Sequence, residues 1–217
     1  MQTRMNKLTV IAMLSAVAYL VMVVGRIPVV LFLKYDPKDV IITIGGFLFG
    51  PLTAFTMSAL VSLVEMFTVS ATGFIGLLMN IISSCSFACT AAIIYKKEHN
   101  YKGAILGLIA GWLITTVVML LWNYLITPIY LGYPREAVVK LLIPAFLPFN
   151  LLKGGLNASI VMLIYKPLSE ALRSANLMPR VVETCTNRKK LTIGSILVCS
   201  LIIFSCILSI LAFQGNI

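Results

Sequence analysis

The stretch GAILGLIAGWLITTVVMLLWNYLITPIYLGYP, residues 103–134, contains 32 residues and not one charged side chain. An α-helix needs about 20 apolar residues to cross a bilayer, so this stretch is long enough to do so. Within lipid the backbone must satisfy its own hydrogen bonds, and a helix does this with a single segment of chain. The stretch therefore predicts a transmembrane helix.

Uncharged runs of similar character recur on both sides of this stretch, at residues 8–24, 40–64, 66–95 and 191–213. Of the 217 residues, 60% are hydrophobic and 11% are charged, whereas a soluble domain carries about 25% charged residues. The first run lacks a small-residue cleavage site and further spans follow it, so it is not expected to be a cleavable signal peptide. The chain is therefore predicted to be an all-α, polytopic membrane helical bundle.

The runs and their glycine and proline boundaries predict seven spans, at about residues 8–25, 39–49, 52–69, 74–95, 103–127, 147–166 and 191–213. The second span stops at Gly50-Pro51 and is too short to cross a bilayer alone. Irregular backbone at membrane depth is tolerated where it is buried in protein or lines a cavity. The region 35–50 is therefore a first indication of a binding site.

Two longer connections are expected, a loop at residues 26–38 and a proline-containing segment at residues 128–146. Three divisions of the chain follow: a six-helix core at 1–170, a basic cytoplasmic linker at 171–190, and an extra transmembrane helix at 191–217.

The distribution of Lys and Arg predicts the orientation of the bundle. With the N-terminus in the cytoplasm, eleven of these residues fall in inside segments, five fall in outside segments, and Lys153 lies within the sixth span. Cytoplasmic segments carry an excess of Lys and Arg, so this orientation is the expected one. The same distribution explains the net charge of +10 without any nucleic-acid partner.

The five cysteines are expected to be small packing residues, and they are Cys85, Cys89, Cys185, Cys199 and Cys206. None lies in a segment predicted to be outside the cell, so no disulfide is expected. A metal site needs more ligands than one pair of thiols, and the only histidine, His99, lies in a basic loop.

Two ionisable residues, Glu65 and Lys153, lie within predicted spans. Such a residue costs about 2.5–3.5 kcal/mol on insertion scales and is a functional candidate by default. Asn150 and Lys153 are three residues apart and share one face of the sixth helix. Gly154 and Gly155 would allow another backbone to approach that helix closely. The face of Asn150 and Lys153 is therefore the first candidate for a binding surface.

Three further polar residues keep two interpretations each. Glu65 either pairs with Lys153 or accepts a hydrogen bond from a ligand. Asn123, near the outer end of the fifth span, binds a ligand or makes an interhelical hydrogen bond. Asn80 on the fourth span serves either helix packing or a ligand.

These side chains predict a pocket at the outer end of the bundle, with amides, one ammonium and mainly apolar walls. Such a pocket suits a flat, apolar ligand with a polar rim. The sequence offers no Ser-His-Asp set, no metal-ligand cluster, no acidic pair and no phosphate-binding glycine loop. The expected activity is therefore binding rather than catalysis, and ATP hydrolysis would fall to other proteins.

Four motifs carry a resemblance to a known family: KYDPKDV at 34–40, GGFLFGP at 45–51, TGFIG at 72–76 and PFNLLKG at 148–154. Together they resemble the riboflavin-specific S-components of energy-coupling-factor vitamin transporters. The resemblance covers roughly residues 1–170. It implies a six-helix, substrate-binding subunit in a prokaryotic cell membrane that captures riboflavin from outside without turning it over. Riboflavin is then the transported ligand, and no cofactor is expected.

The resemblance also implies roles for particular residues. Asn123, Asn150 and Lys153 would match residues that hydrogen-bond the flavin. The first loop would act as a lid and contribute contacts near Tyr35 and Asp36.

The same family associates with a membrane coupling subunit and two ATPases through small residues of its first helix. Here Ala12 and Ala16 lie one turn apart and fit a small-xxx-small pattern, although intramolecular packing would also explain them. The chain departs from the family pattern by continuing past the sixth helix into the run at 191–213.

Three alternatives to riboflavin uptake remain open at this level. The chain could be an S-component for another vitamin, such as thiamine. It could be a membrane-embedded enzyme acting on lipid or isoprenoid. Such an enzyme would need an acid-rich or metal-binding site, whereas Glu65 is the only carboxylate in the interior of a predicted span. It could also be a stand-alone permease that needs no coupling subunits.

Overall fold

The computed structural model describes residues 2–30, 33–69, 73–98, 101–132, 134–174, 200–201 and 205–206. The helices are α1 (Gln2–Gly25), α2 (Lys38–Phe49), α3 (Pro51–Thr68), α4 (Gly73–Glu98), α5 (Tyr101–Leu131), α6 (Arg135–Leu141) and α7 (Leu147–Ser174). Within these residues six helices have 12 residues or more, and α6 has seven. The predicted all-α membrane bundle with a six-helix core is confirmed.

Five segments are long and apolar enough to cross a membrane: Lys7–Gly25, Pro51–Thr68, Gly73–Glu98, Lys102–Ile129 and Arg135–Tyr165. Large apolar side chains such as Leu8, Phe67 and Leu113 are exposed on their surfaces, while charged Lys38 and Asp39 are buried. This distribution is opposite to that of a soluble protein. It fits a bundle whose outer surface meets lipid and whose polar groups face inward.

The short helix α2 lies in the middle of the bundle and contacts α1, α3, α4 and α7. All ten residues from Lys38 to Phe47 are buried. Gly50 ends the helix with a φ of 100°, a conformation that favours glycine, and Pro51 begins α3. The predicted stop at Gly50-Pro51 and the enclosure of the short second span by protein are both confirmed.

The loop predicted at residues 26–38 contains an antiparallel hairpin of β1 (Ile27–Val30) and β2 (Leu33–Tyr35). Ile27 pairs with Tyr35 and Pro28 with Lys34, and the register shifts between Pro28 and Val30. The β-branched residues of β1 favour extended backbone, which explains why this connection is ordered as strands. An all-α interpretation of the sequence missed this hairpin.

The prediction of a connecting segment at residues 128–146 is wrong for most of these residues, because they are helical. Helix α5 continues through Pro128 to Leu131, and α6 and a π-helical segment, Leu142–Phe146, lead directly into α7. Proline is tolerated inside membrane helices because neighbouring groups satisfy the freed carbonyl. Here Gly132, with a φ of 67°, rather than Pro128 ends the helix.

The predicted seventh span, residues 191–213, lies outside the described residues except for helical Ser200, Leu201, Ser205 and Cys206. Residues 175–190 of the predicted linker also lie outside them, whereas residues 171–174 belong to α7. Cys206 is buried in an apolar cluster that contains Val29, Leu33 and Phe149. The C-terminal region therefore contacts the hairpin end of the bundle at this residue.

Helices α4 and α5 approach each other closely at two glycines of α5. A Cβ atom at Gly107 would lie 2.6 Å from the carbonyl oxygen of Ala91, and one at Gly111 would lie 2.7 Å from that of Phe87. Real Cβ atoms do not come this close to a carbonyl oxygen. The two backbones therefore pack at a distance that only glycine permits.

We expect Gly111→Val to lower the unfolding free energy by about 1–3 kcal/mol, because the added atoms overpack the α4–α5 contact. Thermal unfolding in detergent, followed by tryptophan fluorescence, measures the change. The matched control is Val117→Leu, which enlarges an exposed side chain of the same helix. Equal thermal stabilities of the two variants would contradict the close packing of α4 and α5.

Candidate functional site

Four charged side chains meet where the hairpin joins the bundle, and we call Arg26, Asp36, Lys38 and Glu65 the hairpin cluster. Arg26 Nε donates to Asp36 Oδ1 at 2.7 Å. Arg26 also pairs with one oxygen of Glu65, and Lys38 pairs with the other. Lys38 is 0% exposed. The cluster thus connects the hairpin ends to α2 and α3.

The hairpin cluster contains two cations and two carboxylates, so its formal charges cancel. Burial by itself lowers the pKa of the Arg26 guanidinium, but Asp36 and Glu65 outweigh that effect and the pKa is raised. A buried ion is tolerated only when opposite charges and hydrogen bonds replace its water shell. All four side chains are therefore interdependent.

A second group, which we call the Asp39 cluster, lies beside the first and consists of Asp39, Lys153, Ser84, Asn157 and Tyr35. Lys153 Nζ lies 3.1 Å from Asp39 Oδ2. Ser84 Oγ donates to Asp39 Oδ1 at 2.5 Å, and Asn157 Nδ2 donates to Asp39 Oδ2 at 3.4 Å. The carboxylate of Asp39 thereby joins α2 to α4 and α7.

The Tyr35 phenol extends the Asp39 cluster to the hairpin. Burial, followed by the charges of Asp39 and Asp36, raises the pKa of this phenol. The group therefore stays protonated at physiological pH and donates to Asn157 Oδ1 at 3.0 Å. Through this bond the hairpin is connected to α7.

A closed crevice lies between the hairpin and α7, with an accessible volume of about 0 Å³. Its lining consists of Val29, Tyr35, Phe149, Leu152, Lys153 and Leu156. Four of these side chains have no polar atom, namely Val29, Phe149, Leu152 and Leu156, which leaves the phenol of Tyr35 and the ammonium of Lys153 as the polar groups. An apolar crevice with few polar groups is typical of a small-molecule site.

The structure brings some of the predicted binding residues together. Tyr35 and Lys153 line the crevice, and Asp36 and Glu65 lie in the adjacent hairpin cluster. One of the two interpretations of Glu65 is wrong, because the carboxylate that pairs with Lys153 belongs to Asp39. Glu65 is instead engaged by Arg26 and Lys38.

The three predicted asparagines are placed differently. Asn123 is buried on α5, where its Nδ2 donates to Met119 O at 2.8 Å and its Oδ1 accepts from Thr127 at 3.0 Å. Asn150 is buried on α7, and its Nδ2 donates to Phe146 O at 2.8 Å. Asn80 is partly buried on α4. None of the three belongs to the crevice lining.

Sequence reasoning did not predict five residues of the two clusters as site residues: Arg26, Lys38, Asp39, Ser84 and Asn157. Lys38 and Asp39 are adjacent at the start of the second predicted span, which is too short to cross the bilayer alone. That position is a signal that both charges are buried. Asn157 follows Asn150 and Lys153 at helical spacing, so the three residues share one face of α7. This spacing could have predicted Asn157 as a site residue.

A bundle of membrane-spanning helices that surrounds buried charged side chains next to an apolar crevice is typical of a membrane protein that binds a small molecule. The family model described as "ECF transporter, substrate-specific component" matches residues 6–165. The chain belongs to this family, whose members are substrate-specific components of energy-coupling-factor transporters. The resemblance drawn from the sequence motifs is confirmed.

Individual relatives agree with this assignment. The riboflavin transporter FmnP of Bacillus subtilis is 29% identical over 190 residues, which cover 80% of this chain and 99% of FmnP. The riboflavin transporter RibU of Streptococcus thermophilus is 31% identical over 181 residues, which cover 78% of this chain and 86% of RibU. A solved structure of the S component of a bacterial ECF transporter superposes with a TM-score of 0.65 at 28% identity and covers 78% of this chain and 99% of that one.

The family assignment defines the general activity and location. The chain is a transport protein and not an enzyme, because its family and its relatives are transporters. It is a multi-pass protein of a prokaryotic cell membrane, consistent with the five long apolar segments. The membrane-enzyme alternative is therefore not favoured.

We expect Glu65→Gln to lower the unfolding free energy by about 3–5 kcal/mol, because it leaves buried cations without their full counter-charge. Unfolding of detergent-solubilised protein by titration with sodium dodecyl sulfate measures the change. Glu136→Gln, which removes an exposed carboxylate of α6, is the matched control.

The double variant Lys38→Met, Glu65→Gln removes one charge of each sign and should recover part of the lost stability. If Glu65→Gln costs no more stability than Glu136→Gln, the hairpin cluster does not hold the hairpin to the bundle.

Proposed function

We propose that this chain is the riboflavin-binding subunit of an ATP-driven uptake system and captures riboflavin from outside the cell. The observation that carries the proposal is the similarity to relatives named riboflavin transporters across 86–99% of their own lengths. Two of the family motifs, KYDPKDV and PFNLLKG, supply residues that lie against the crevice, namely Tyr35 and Lys153.

The chemistry of the crevice supports a flavin ligand. The isoalloxazine ring is flat and largely apolar, with carbonyl and imide groups along one edge. Phe149, Leu152 and Leu156 offer apolar walls, while the Lys153 ammonium and the Tyr35 phenol offer hydrogen bonds to that edge. Asn123 and Asn150 would add amide contacts once the ligand separates the surrounding side chains.

Ligand entry requires the hairpin to move. Drug-sized ligands occupy pockets of about 300–1,000 Å³, whereas the crevice is closed and has an accessible volume of about 0 Å³. The hairpin contributes Val29 and Tyr35 to the crevice and is attached to the helices by side-chain contacts. It therefore serves as the lid, with Asp36 and Glu65 in the ion pairs that close it, while Asn80 lies one helical turn from Ser84 on α4.

The proposed assembly follows from what this chain lacks and what it exposes. No ATP-binding motif occurs in the sequence, so the energy comes from a partner module with a membrane coupling subunit and two ATPases. Ala12 and Ala16 are both exposed on one face of α1 and provide a close-packing surface for that subunit. The excess of Lys and Arg in the predicted inside segments supports an orientation with the N-terminus of this chain in the cytoplasm.

We expect the purified protein to bind riboflavin tightly and to quench its fluorescence at micromolar concentrations. Lys153→Ala and Asn150→Ala should each weaken binding about tenfold or more, because each removes a hydrogen bond in a largely apolar site. The exposed lysine of α6 supplies the control, Lys140→Ala, which should bind as the unmodified protein does.

Absence of quenching by the unmodified protein would overturn the proposed ligand, and a thermal-shift panel that includes thiamine would then identify another one. Unchanged affinity in both Lys153→Ala and Asn150→Ala would overturn the proposed site while leaving the ligand intact.

We expect Ala16→Trp to abolish riboflavin uptake by cells that contain the coupling module while leaving riboflavin binding unchanged. The added ring would block close approach of the partner helix. Val17→Trp is the matched control, since Val17 is exposed on α1 but lies about 100° further round the helix. Equal uptake by the two variants would contradict the assignment, as would uptake without any coupling module, which indicates a stand-alone permease.

A further inference from the structure

Asp39 is the most enclosed acidic side chain near the crevice, with 1% of its surface exposed. Its carboxylate receives three side-chain groups, from Lys153, Ser84 and Asn157. Two of these groups connect it to the polar residues of the crevice lining. Lys153 lines the crevice itself, and Asn157 holds the phenol of Tyr35.

The hydrogen bonds of Lys153 leave capacity for a ligand. An ammonium group has three N–H donors. Asp39 Oδ2 at 3.1 Å and Ser83 Oγ at 3.2 Å use two of them among the described residues. With two donors engaged by the protein, the direction of the third is determined by the helix contacts. A ligand acceptor in the crevice can therefore meet an oriented N–H group.

The charges around the crevice cancel within each cluster. Lys153 and Asp39 form one neutral pair, and the hairpin cluster contains two cations and two carboxylates. A ligand without charge loses little by entering such a site. An anionic ligand gives up its hydration and finds no net positive charge in return.

We propose that Asp39 is a positioning and specificity-determining residue of the binding site. It orients the Lys153 ammonium and the Asn157 amide, and it cancels the charge of Lys153. The site thereby selects an uncharged ring system over the same compound with a phosphate group. This inference rests on the proposed function, since it takes riboflavin as the uncharged ligand and riboflavin 5′-phosphate as the anionic one.

The test measures dissociation constants of both flavins for four proteins by fluorescence quenching. The proteins are the unmodified chain, Asp39→Asn, Lys153→Met and the double variant. The readout is the preference, defined as the dissociation constant for the phosphate divided by that for riboflavin. A purely structural role of Asp39 would weaken both flavins together and leave this preference unchanged.

Asp39→Asn leaves the charge of Lys153 uncompensated, so we expect the preference for riboflavin to fall about tenfold. Lys153→Met leaves a net negative charge and should raise the preference by a similar factor. The double variant is neutral again and should return to within about threefold of the unmodified protein. Asp39→Glu keeps the charge and should keep the preference, although riboflavin binds more weakly because the ammonium is displaced.

The design remains decisive if Asp39→Asn does not fold, because that variant buries an unpaired ammonium. Comparison of Lys153→Met with the double variant then isolates the charge of Asp39, and the same tenfold fall in preference is expected. Glu170→Gln is the control for loss of one carboxylate, about 25 Å along α7 from Lys153. It should change neither dissociation constant.

Two negative results have different meanings. If the unmodified protein binds riboflavin but the preference stays within twofold in every variant, Asp39 has no role in specificity and the inference is overturned. If the unmodified protein binds neither flavin, the proposed function itself is overturned, and the inference falls with it.

Discussion

Charged side chains inside a membrane bundle must have their counter-charges within hydrogen-bonding distance, because lipid supplies no water to replace them. The hairpin end of this protein is arranged around that requirement. Glu65 on α3 receives one cation from the hairpin and one from α2, and Asp39 on α2 receives the ammonium of Lys153 from α7. Helix packing, hairpin position and crevice chemistry therefore depend on the same few ion pairs. Removal of any one charge would leave another buried without compensation, which couples stability and binding at this end of the molecule.

The two ends of the described bundle are held together by different forces. Toward the far end, Phe47, Tyr95 and Tyr165 form an aromatic cluster in which the Tyr165 ring meets the other two edge-on, and the α4–α5 contact is closed by glycines. Such packing is short-ranged and tolerates little displacement. The hairpin is attached through ion pairs, one phenol hydrogen bond and a small apolar cluster. Under the proposed function, this division leaves the helices as a fixed frame and makes the hairpin the part whose contacts are exchanged for contacts with the ligand.

Much of the fold follows from the sequence, because a charge-free run of sufficient length has one stable structure in lipid. The glycine and proline at 50–51 marked a helix boundary correctly, whereas Pro128 did not, since the membrane helix accommodates it. The site was predictable in part. Lys153 and Tyr35 carry local signals, but the partner of Lys153 does not, because the contacts of Asp39 join residues up to 118 positions apart. Pairing over that separation is decided by the packing of α2 against α4 and α7, which no local pattern records.

The position of α2 has a consequence for how the protein is made. Twelve helical residues extend about 18 Å, well short of the roughly 30 Å hydrocarbon core of a bilayer, and the first two of them are charged. A translocation machinery that inserts segments into the membrane according to their apolar length would not insert α2 by itself. The turn at Gly50 joins it directly to α3, which is long and apolar enough to cross the membrane. Lys38 and Asp39 reach their counter-charges only after α3 and α7 have been synthesised, and the proposed binding site is thus completed late in biogenesis.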